Sequence, residues 1–183
     1  LQSRNPAPVF SLSSLIRFKS DIYSPALYIK ILINLKPTHE YFMGLALEQA
    51  KKAEINGEVP VGAVFIDDDQ VIAEAGNASI TLNDPTAHAE ILTLREASKK
   101  KGNYRLGGTL FVTLEPCIMC MGALIHARVK KLIFGAYDPR SGAALSAYNL
   151  SDSPHLNHRI EVQGGILEEQ SQALLKNFFK TRR

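Results

Sequence analysis

The spacing of apolar residues along the chain predicts four helices. Between Phe42 and Ala53, apolar residues recur at intervals of three or four, which places them on one face of a helix. Thr38, a residue type that caps helix N-termini, precedes this run, and Gly57 ends it. Further helices are expected to open near Pro85 or Ala87, around Cys117 and near Leu167.

Five shorter apolar segments predict β-strands. An acidic turn, Asp67-Asp68-Asp69, joins the first two of them. Because strands alternate with helices, we expect an α/β layered domain with helices on both faces of one sheet. The predicted strands are 61–66, 71–74, 109–114, 132–136 and 160–163.

Length and composition fit one compact domain. The chain has 183 residues, of which 45% are hydrophobic and 21% are charged, and these fractions exclude a disordered or collagen-like chain. It has two cysteines, Cys117 and Cys120, which are too few and too close for a disulfide framework. Such a pair is typical of metal ligands or of a redox couple.

The positive charge is concentrated at the start of the chain. The formal net charge is +3, but residues 1–37 alone carry +4, so residues 38–183 carry −1. We therefore predict an N-terminal extension over 1–37, poorly ordered, and one main domain over 38–183. The extension is Ser-rich and poor in acids, as organelle transit peptides are, and a segment without any targeting role is the alternative. Its apolar run, 26–35, is interrupted by Lys30 and Asn34 and does not predict a membrane span.

Two short segments carry the candidate chemistry: 84–90 (DPTAHAE) and 115–120 (EPCIMC). Cys117 and Cys120 are three positions apart at a predicted helix start, so that both sulfurs can reach one ion. The positive end of the helix dipole lowers thiol pKa and favours the thiolate that a metal requires. His88 and Glu90 stand at the start of another helix and could meet this pair only by pointing off its end.

The number of ligands decides between two kinds of zinc site. Catalytic sites use three protein ligands and leave one position for water, whereas structural sites close with four. His88 with the two cysteines gives an open site with the carboxylate of Glu90 beside it. The alternative is a closed site in which His155 and His158 join the cysteines, which would make the protein a zinc-stabilised binding module.

The pattern His88-Ala89-Glu90 followed by Pro116-Cys117-x-x-Cys120 resembles the zinc-dependent nucleobase deaminases. Within that superfamily the chain is most similar to the bacterial tRNA-specific adenosine deaminases, over about residues 39–183. The matching stretches are 58–63, Asn77, 84–90, 103–106, 113–117, 122–128, 157–159 and 178–179.

The resemblance implies a cytidine deaminase-like fold, which is a three-layer α/β/α sandwich with a mixed five-stranded sheet. It implies one zinc ion per chain, bound by His88, Cys117 and Cys120. Zinc-activated hydroxide would attack adenine C6 and release ammonia, while Glu90 takes the water proton and delivers protons to N1 and to the leaving amine. Asn77 matches a position that hydrogen-bonds the base.

The resemblance also implies partners and a location. The substrate would be the wobble adenosine of a tRNA anticodon stem-loop, the chain would form a homodimer, and no membrane would be involved. The expected location is the cytoplasm; organellar import through residues 1–37 is possible from their composition but has no further support. The C-terminal cations are candidates for contacts with the RNA backbone: Lys176, Lys180, Arg182 and Arg183.

Two rival functions remain open at this point. A guanine deaminase, or a deaminase of another nucleobase, shares the 84–90 segment. A non-catalytic zinc-stabilised RNA-binding module on the same scaffold is the alternative of another class. A complete set of His88, Glu90, Cys117 and Cys120 favours an enzyme over this second alternative.

Overall fold

The computed structural model describes residues 37–182, and within this range the chain forms four α-helices and five β-strands. The prediction of a poorly ordered extension before Thr38 lies outside the described residues. In the described range, no helix is both long and apolar enough to cross a bilayer. The helices are α1 (His39–Ile55), α2 (Ala89–Lys101), α3 (Ile118–His126) and α4 (Glu168–Lys180). The strands are β1 (Gly62–Asp67), β2 (Gln70–Gly76), β3 (Thr109–Leu114), β4 (Lys131–Ala136) and β5 (Glu161–Gln163).

The strands form one mixed sheet in the order β2-β1-β3-β4-β5. β1 is antiparallel to both β2 and β3, whereas β3, β4 and β5 are parallel. Asp68 and Asp69 join β1 to β2 and both have a positive φ, as the two central residues of a type I′ hairpin turn require. The structure confirms the predicted mixed five-stranded sheet.

Helices cover both faces of the sheet. Alternate residues of a strand point to opposite faces, so neighbours in β1 and β3 belong to different cores. Val64 and Phe111 pack against α1, together with the start of α4. Phe65 and Leu110 belong to the core on the other face, which α2 and α3 cover. The predicted three-layer α/β/α arrangement is confirmed.

At one end of the sheet, which we call its edge below, the start of β1 lies beside the ends of β2, β3 and β4. The parallel strands β3 and β4 end side by side, with Leu114 opposite Ala136. Because β1 is antiparallel to its neighbours, the end of β2 reaches the same edge, where Gly76 pairs with Gly62. The loops that follow β2, β3 and β4 therefore leave the sheet together. Ligand sites in sheets of this class lie outside the carboxyl ends of the parallel strands.

Candidate active site

Three potential metal donors meet at this edge. His88 is the N-cap of α2, Cys117 is the N-cap of α3, and Cys120 lies in the first turn of α3. The His88 Nδ1 atom is 3.8 Å from the Cys117 sulfur and 3.5 Å from the Cys120 sulfur. Among residues 37–182, no other group of three or more His, Cys, Asp or Glu side chains is placed to hold a metal ion.

The donor set fits zinc in both chemistry and geometry. With Zn–S bonds of about 2.3 Å and Zn–N bonds of about 2.0–2.1 Å, a tetrahedral ion separates a nitrogen ligand from a sulfur ligand by about 3.6 Å. The two nitrogen–sulfur distances lie on either side of that value. Two thiolates and one imidazole make three protein donors, which is the number found in catalytic rather than structural zinc sites.

The two thiols share a proton in a way that suits a cation. A hydrogen bond from the Cys120 thiol lowers the pKa of Cys117 to about 4, and His88 contributes further. The same hydrogen bond, together with burial, raises the pKa of Cys120 above its usual value. One sulfur is thus a thiolate at neutral pH, and a bound divalent cation would displace the proton from the other.

Glu90 lies beside the donors and is buried. It is the second residue of α2 and only 3% exposed. Burial raises the pKa of the Glu90 carboxyl, although its own backbone hydrogen bond and the His88 ring oppose the shift. A first-turn acid can stabilise a helix N-terminus, but an exposed acid would serve that purpose equally well. A buried carboxyl with a raised pKa is instead typical of a group that exchanges protons near neutral pH.

A small cavity of about 190 Å³ gives access to these groups. Drug-sized ligands usually occupy roughly 300–1,000 Å³, so this cavity suits a single ring system rather than a whole nucleotide. Its walls are apolar near the strands and polar near the loops. The lining residues are Val59, Val61, Asn77, His88, Glu90, Leu114, Glu115, Cys117, Asp138 and Ser141.

Asn77 has a fixed orientation in this cavity. It follows the last residue of β2, and its Oδ1 accepts a hydrogen bond of 2.8 Å from the backbone N–H of Ala89. This bond uses the oxygen side of the amide, so the amide NH₂ group is left to donate. Asn77 therefore both holds the start of α2 and offers a donor in the cavity.

Two buried glutamates, to which the sequence pattern assigns no role, hold loops beside the cavity. Glu58 is 2% exposed and accepts hydrogen bonds from the backbone N–H of Ile80 and from the N–H and hydroxyl of Thr81. Glu115 is 2% exposed and accepts from Asp138, Leu145 and Ser146. Burial alone would raise the pKa of both carboxyls, but these donors outweigh it and lower the pKa.

The closed four-ligand alternative is wrong, because the structure keeps its two histidines away from the cysteines. His158 Nε2 is 2.7 Å from the backbone oxygen of Val129, and His155 is exposed. Neither residue is part of the potential metal group or of the cavity lining.

Comparison with known proteins agrees with this site. The cytidine and deoxycytidylate deaminase zinc-binding region matches residues 36–136, which contain all three donors and Glu90. The tRNA-specific adenosine deaminase of Haemophilus influenzae is 51% identical over 146 residues, or 79% of this chain and 84% of that protein. This chain belongs to the tRNA-specific adenosine deaminase family.

Solved structures place it in the same group. One, from studies of A-to-I editing by tRNA:A34 deaminases at the wobble position of transfer RNA, is 45% identical to this chain with a TM-score of 0.72. That match covers 74% of this chain and 99% of the other. A guanine deaminase from Bacillus subtilis is 33% identical with a TM-score of 0.56, over 80% of this chain and 94% of the other. This chain is therefore more similar to the tRNA:A34 deaminase than to the Bacillus subtilis guanine deaminase in both sequence identity and TM-score.

Proposed function

We propose that this chain deaminates adenosine to inosine at the wobble position of a tRNA anticodon, with consumption of one water and release of one ammonia. One observation carries the proposal: His88, Cys117 and Cys120 converge with the buried carboxyl of Glu90 on one small cavity. The chain that builds this cavity belongs to the tRNA-specific adenosine deaminase family.

One zinc ion per chain would be held by His88, Cys117 and Cys120. Zinc bound by three protein donors supplies a water that is activated for attack at neutral pH. The donors come from two helix N-termini that meet at one edge of the sheet, so the fold supports the set without help from a mobile loop. The nitrogen–sulfur distances near 3.6 Å support this assignment.

Glu90 would act as the proton carrier of the reaction. Its carboxylate accepts a proton from the attacking water and donates one to adenine N1, which makes C6 more electrophilic. It then takes the proton of the new C6 hydroxyl group and delivers it to the amine, so that the C6–N bond breaks, ammonia leaves and the C6 carbonyl of inosine forms. The same group must take and give protons, and burial of Glu90, which raises its pKa, suits it to both tasks near neutral pH.

Asn77 would orient the base. With its oxygen engaged by Ala89, the side-chain NH₂ donates to an acceptor atom on the purine. The cavity is large enough for one base, which matches an enzyme that draws a single nucleotide out of its stack. An adenosine in an anticodon loop is unpaired, so moving it into the cavity costs less than from a duplex.

The tRNA substrate and the homodimer are part of the same proposal. A groove of about 540 Å³ between α2 and α3 is lined mainly by apolar atoms, including those of Ile91, Leu94 and Ala123. Elsewhere on α3, its first residue Ile118 is 50% exposed. Apolar surface of this kind supports association with a second copy. The location that we propose is the cytoplasm, because the substrate must be available there.

A synthetic anticodon stem-loop with adenosine at the wobble position tests the function. We expect nucleoside analysis to find inosine at that position after incubation with the zinc-loaded protein, and none with Glu90→Ala at equal zinc content. Guanine and cytidine are assayed in parallel as alternative substrates. Turnover of guanine with an unchanged stem-loop would favour a guanine deaminase. Binding of the stem-loop without any turnover would favour the RNA-binding module.

A further inference from the structure

Glu115 occupies an unusual place for a residue outside the proposed catalytic set. It lies between the end of β3 and the Pro116-Cys117 step that begins α3, and it is only 2% exposed. Buried carboxylates are rare unless they are fully paired. No cation pairs with Glu115 among the ion pairs of residues 37–182; all four of its side-chain hydrogen bonds come from uncharged donors.

The four donors come from one loop, residues 137–149, which connects β4 to a short 3₁₀-helix (Leu150–Asp152). One carboxylate oxygen accepts from the backbone N–H groups of Leu145, at 2.7 Å, and Ser146, at 2.8 Å. The other accepts from the N–H of Asp138, at 3.1 Å, and from the Ser146 hydroxyl. A single side chain thus binds both the beginning and the end of the loop.

The loop packs directly on the segment that it binds. The backbone N–H of Ala143 donates a 2.8 Å hydrogen bond to the carbonyl of Pro116. At Gly142, an added Cβ would come within 2.5 Å of the Glu115 carboxyl carbon, so the backbone lies against the carboxylate with no room for a side chain. The loop is held in one position by the residues that lead into α3.

This position matters because the loop forms one wall of the cavity. Asp138 and Ser141 line it together with Asn77 and His88. The Asp138 carboxylate in turn accepts from the N–H groups of Arg140, at 3.0 Å, and Ser141, at 3.2 Å. The wall therefore rests on a series of hydrogen bonds that begins at Glu115.

We propose that Glu115 is a positioning residue, which holds loop 137–149 as the substrate-facing wall of the cavity and so sets the affinity for the substrate. This inference rests on the proposed function. The candidate metal donors and Glu90 belong to α2, α3 and their caps, whereas the four hydrogen bonds of the Glu115 carboxylate all go to loop 137–149. Loss of the Glu115 tether should therefore weaken substrate binding and leave zinc content and the chemical step intact.

Three variants disturb the tether in different ways. Glu115→Gln has the same size and keeps one acceptor oxygen, but it turns an NH₂ group towards donors. Gly142→Ala pushes the loop away from an intact carboxylate. Ser146→Ala removes only the hydroxyl donor and keeps the backbone one. The matched control is Glu161→Gln, an exposed carboxylate in β5 that pairs with Lys131.

For the wild type and each variant, the test measures kcat and KM on the anticodon stem-loop, zinc per chain, and hydrogen exchange of the backbone amides. Glu115→Gln and Gly142→Ala should raise KM by about tenfold with kcat within about threefold of the wild type, because a wall that contacts the substrate equally in the ground state and the transition state affects KM and not kcat. Zinc content should be unchanged. The amides of 138–146 should exchange faster. Ser146→Ala should shift KM in the same direction by less, and Glu161→Gln should match the wild type.

The outcomes separate the two proposals. A zinc-loaded wild-type protein that does not convert the stem-loop overturns the proposed function, and the substrate-facing role of Glu115 with it. Wild-type turnover with unchanged KM in Glu115→Gln and Gly142→Ala overturns the positioning role alone. A loss of zinc in these two variants, or a fall in their kcat at constant KM, also overturns the positioning role. If Glu115→Gln does not fold, Ser146→Ala decides by the same measurements.

Discussion

Glu58 provides a prediction whose size follows from the hydrogen bonds that it accepts. It stands just after α1, and its carboxylate receives Thr81 N–H at 2.7 Å, Thr81 hydroxyl at 2.9 Å and Ile80 N–H at 3.2 Å. A hydrogen bond to a charged acceptor contributes about 1.5–3 kcal/mol net to stability. The lower value is expected here, because Ile80 and Thr81 are exposed residues and water competes for their donors.

Glu58→Ala should therefore lower the free energy of unfolding by about 4–5 kcal/mol near neutral pH, because three such bonds are lost. Glu58→Gln keeps the oxygen that binds Thr81, but without its charge, and loses the one that binds Ile80, so we expect a loss of about 2 kcal/mol. Urea unfolding of the purified proteins measures both. Glu74→Gln, which changes an exposed carboxylate of β2, is the control and should stay within about 0.5 kcal/mol of the wild type.

The sign of the pH dependence follows from the lowered pKa of Glu58. Burial acts to raise this pKa, but the donors of Thr81 and Ile80 and the charge of Arg182 outweigh it. A carboxyl whose pKa is lower in the folded state contributes stability above its unfolded pKa, which is about 4.3, and loses it as the pH falls through the folded pKa. The deficit of Glu58→Gln should thus shrink in acid. A deficit that stays constant down to about pH 3, or no deficit at neutral pH, would refute the reasoning.

Three further predictions concern the catalytic groups. Cys120→Ala removes one metal donor, so zinc per chain, measured by atomic spectroscopy, should fall well below that of the wild type. Glu90→Gln keeps the shape of the site and loses the proton carrier; kcat on the stem-loop should fall by about 10²–10⁴-fold at unchanged zinc. Asn77→Asp keeps the acceptor for Ala89 and loses the donor to the base, so KM should rise by about tenfold while thermal stability stays near that of the wild type.

Each of these has an outcome that contradicts it. Full zinc occupancy in Cys120→Ala would remove this residue from the metal site. Turnover retained by Glu90→Gln would assign proton transfer to another group. If Asn77→Asp lowers stability but not affinity, the residue serves only to hold the start of α2.

Local spacing was sufficient to predict the candidate donors. Cys117 and Cys120 share one helix start, and His88 and Glu90 share another, so each pair can be recognised within a few residues. The exact start of α2 is harder to predict from the sequence. The sequence suggested Pro85 or Ala87, but the helix begins at Ala89, because the Asp84 carboxylate holds the N–H and hydroxyl of Thr86 in a turn.

The loop anchors could not be predicted in this way. Glu58 and Glu115 bind groups that lie 22 to 31 positions further along the chain. No periodicity or motif marks such a pairing, and a glutamate beside a turn is usually solvated. Only the folded sheet, which brings the loops to one edge, makes these carboxylates buried acceptors.

The positions of charged residues give the least specific prediction, that of the RNA contacts. The sequence suggested the C-terminal cations as RNA contacts, but the Arg182 guanidinium stacks on the Phe178 ring at 3.9 Å and donates to the Gly57 carbonyl at 2.9 Å. Arg182 is thus exposed but also bound within the protein, and Arg183 lies outside the described residues. Lys176 and Lys180 on α4 are exposed as well, and the RNA contacts of these cations stay a prediction.

The candidate metal donors lie at helix starts, whereas part of the cavity wall lies on loops that buried glutamates hold in place. This separation bears on how such a protein diverges over evolutionary time. Loop residues between fixed anchor points can be exchanged, and the recognised base changed, while the frame that holds the donors stays the same. The same separation offers a route to engineering: substitutions in 137–149 that retain Glu115 and Gly142 should alter substrate preference at little cost to metal binding.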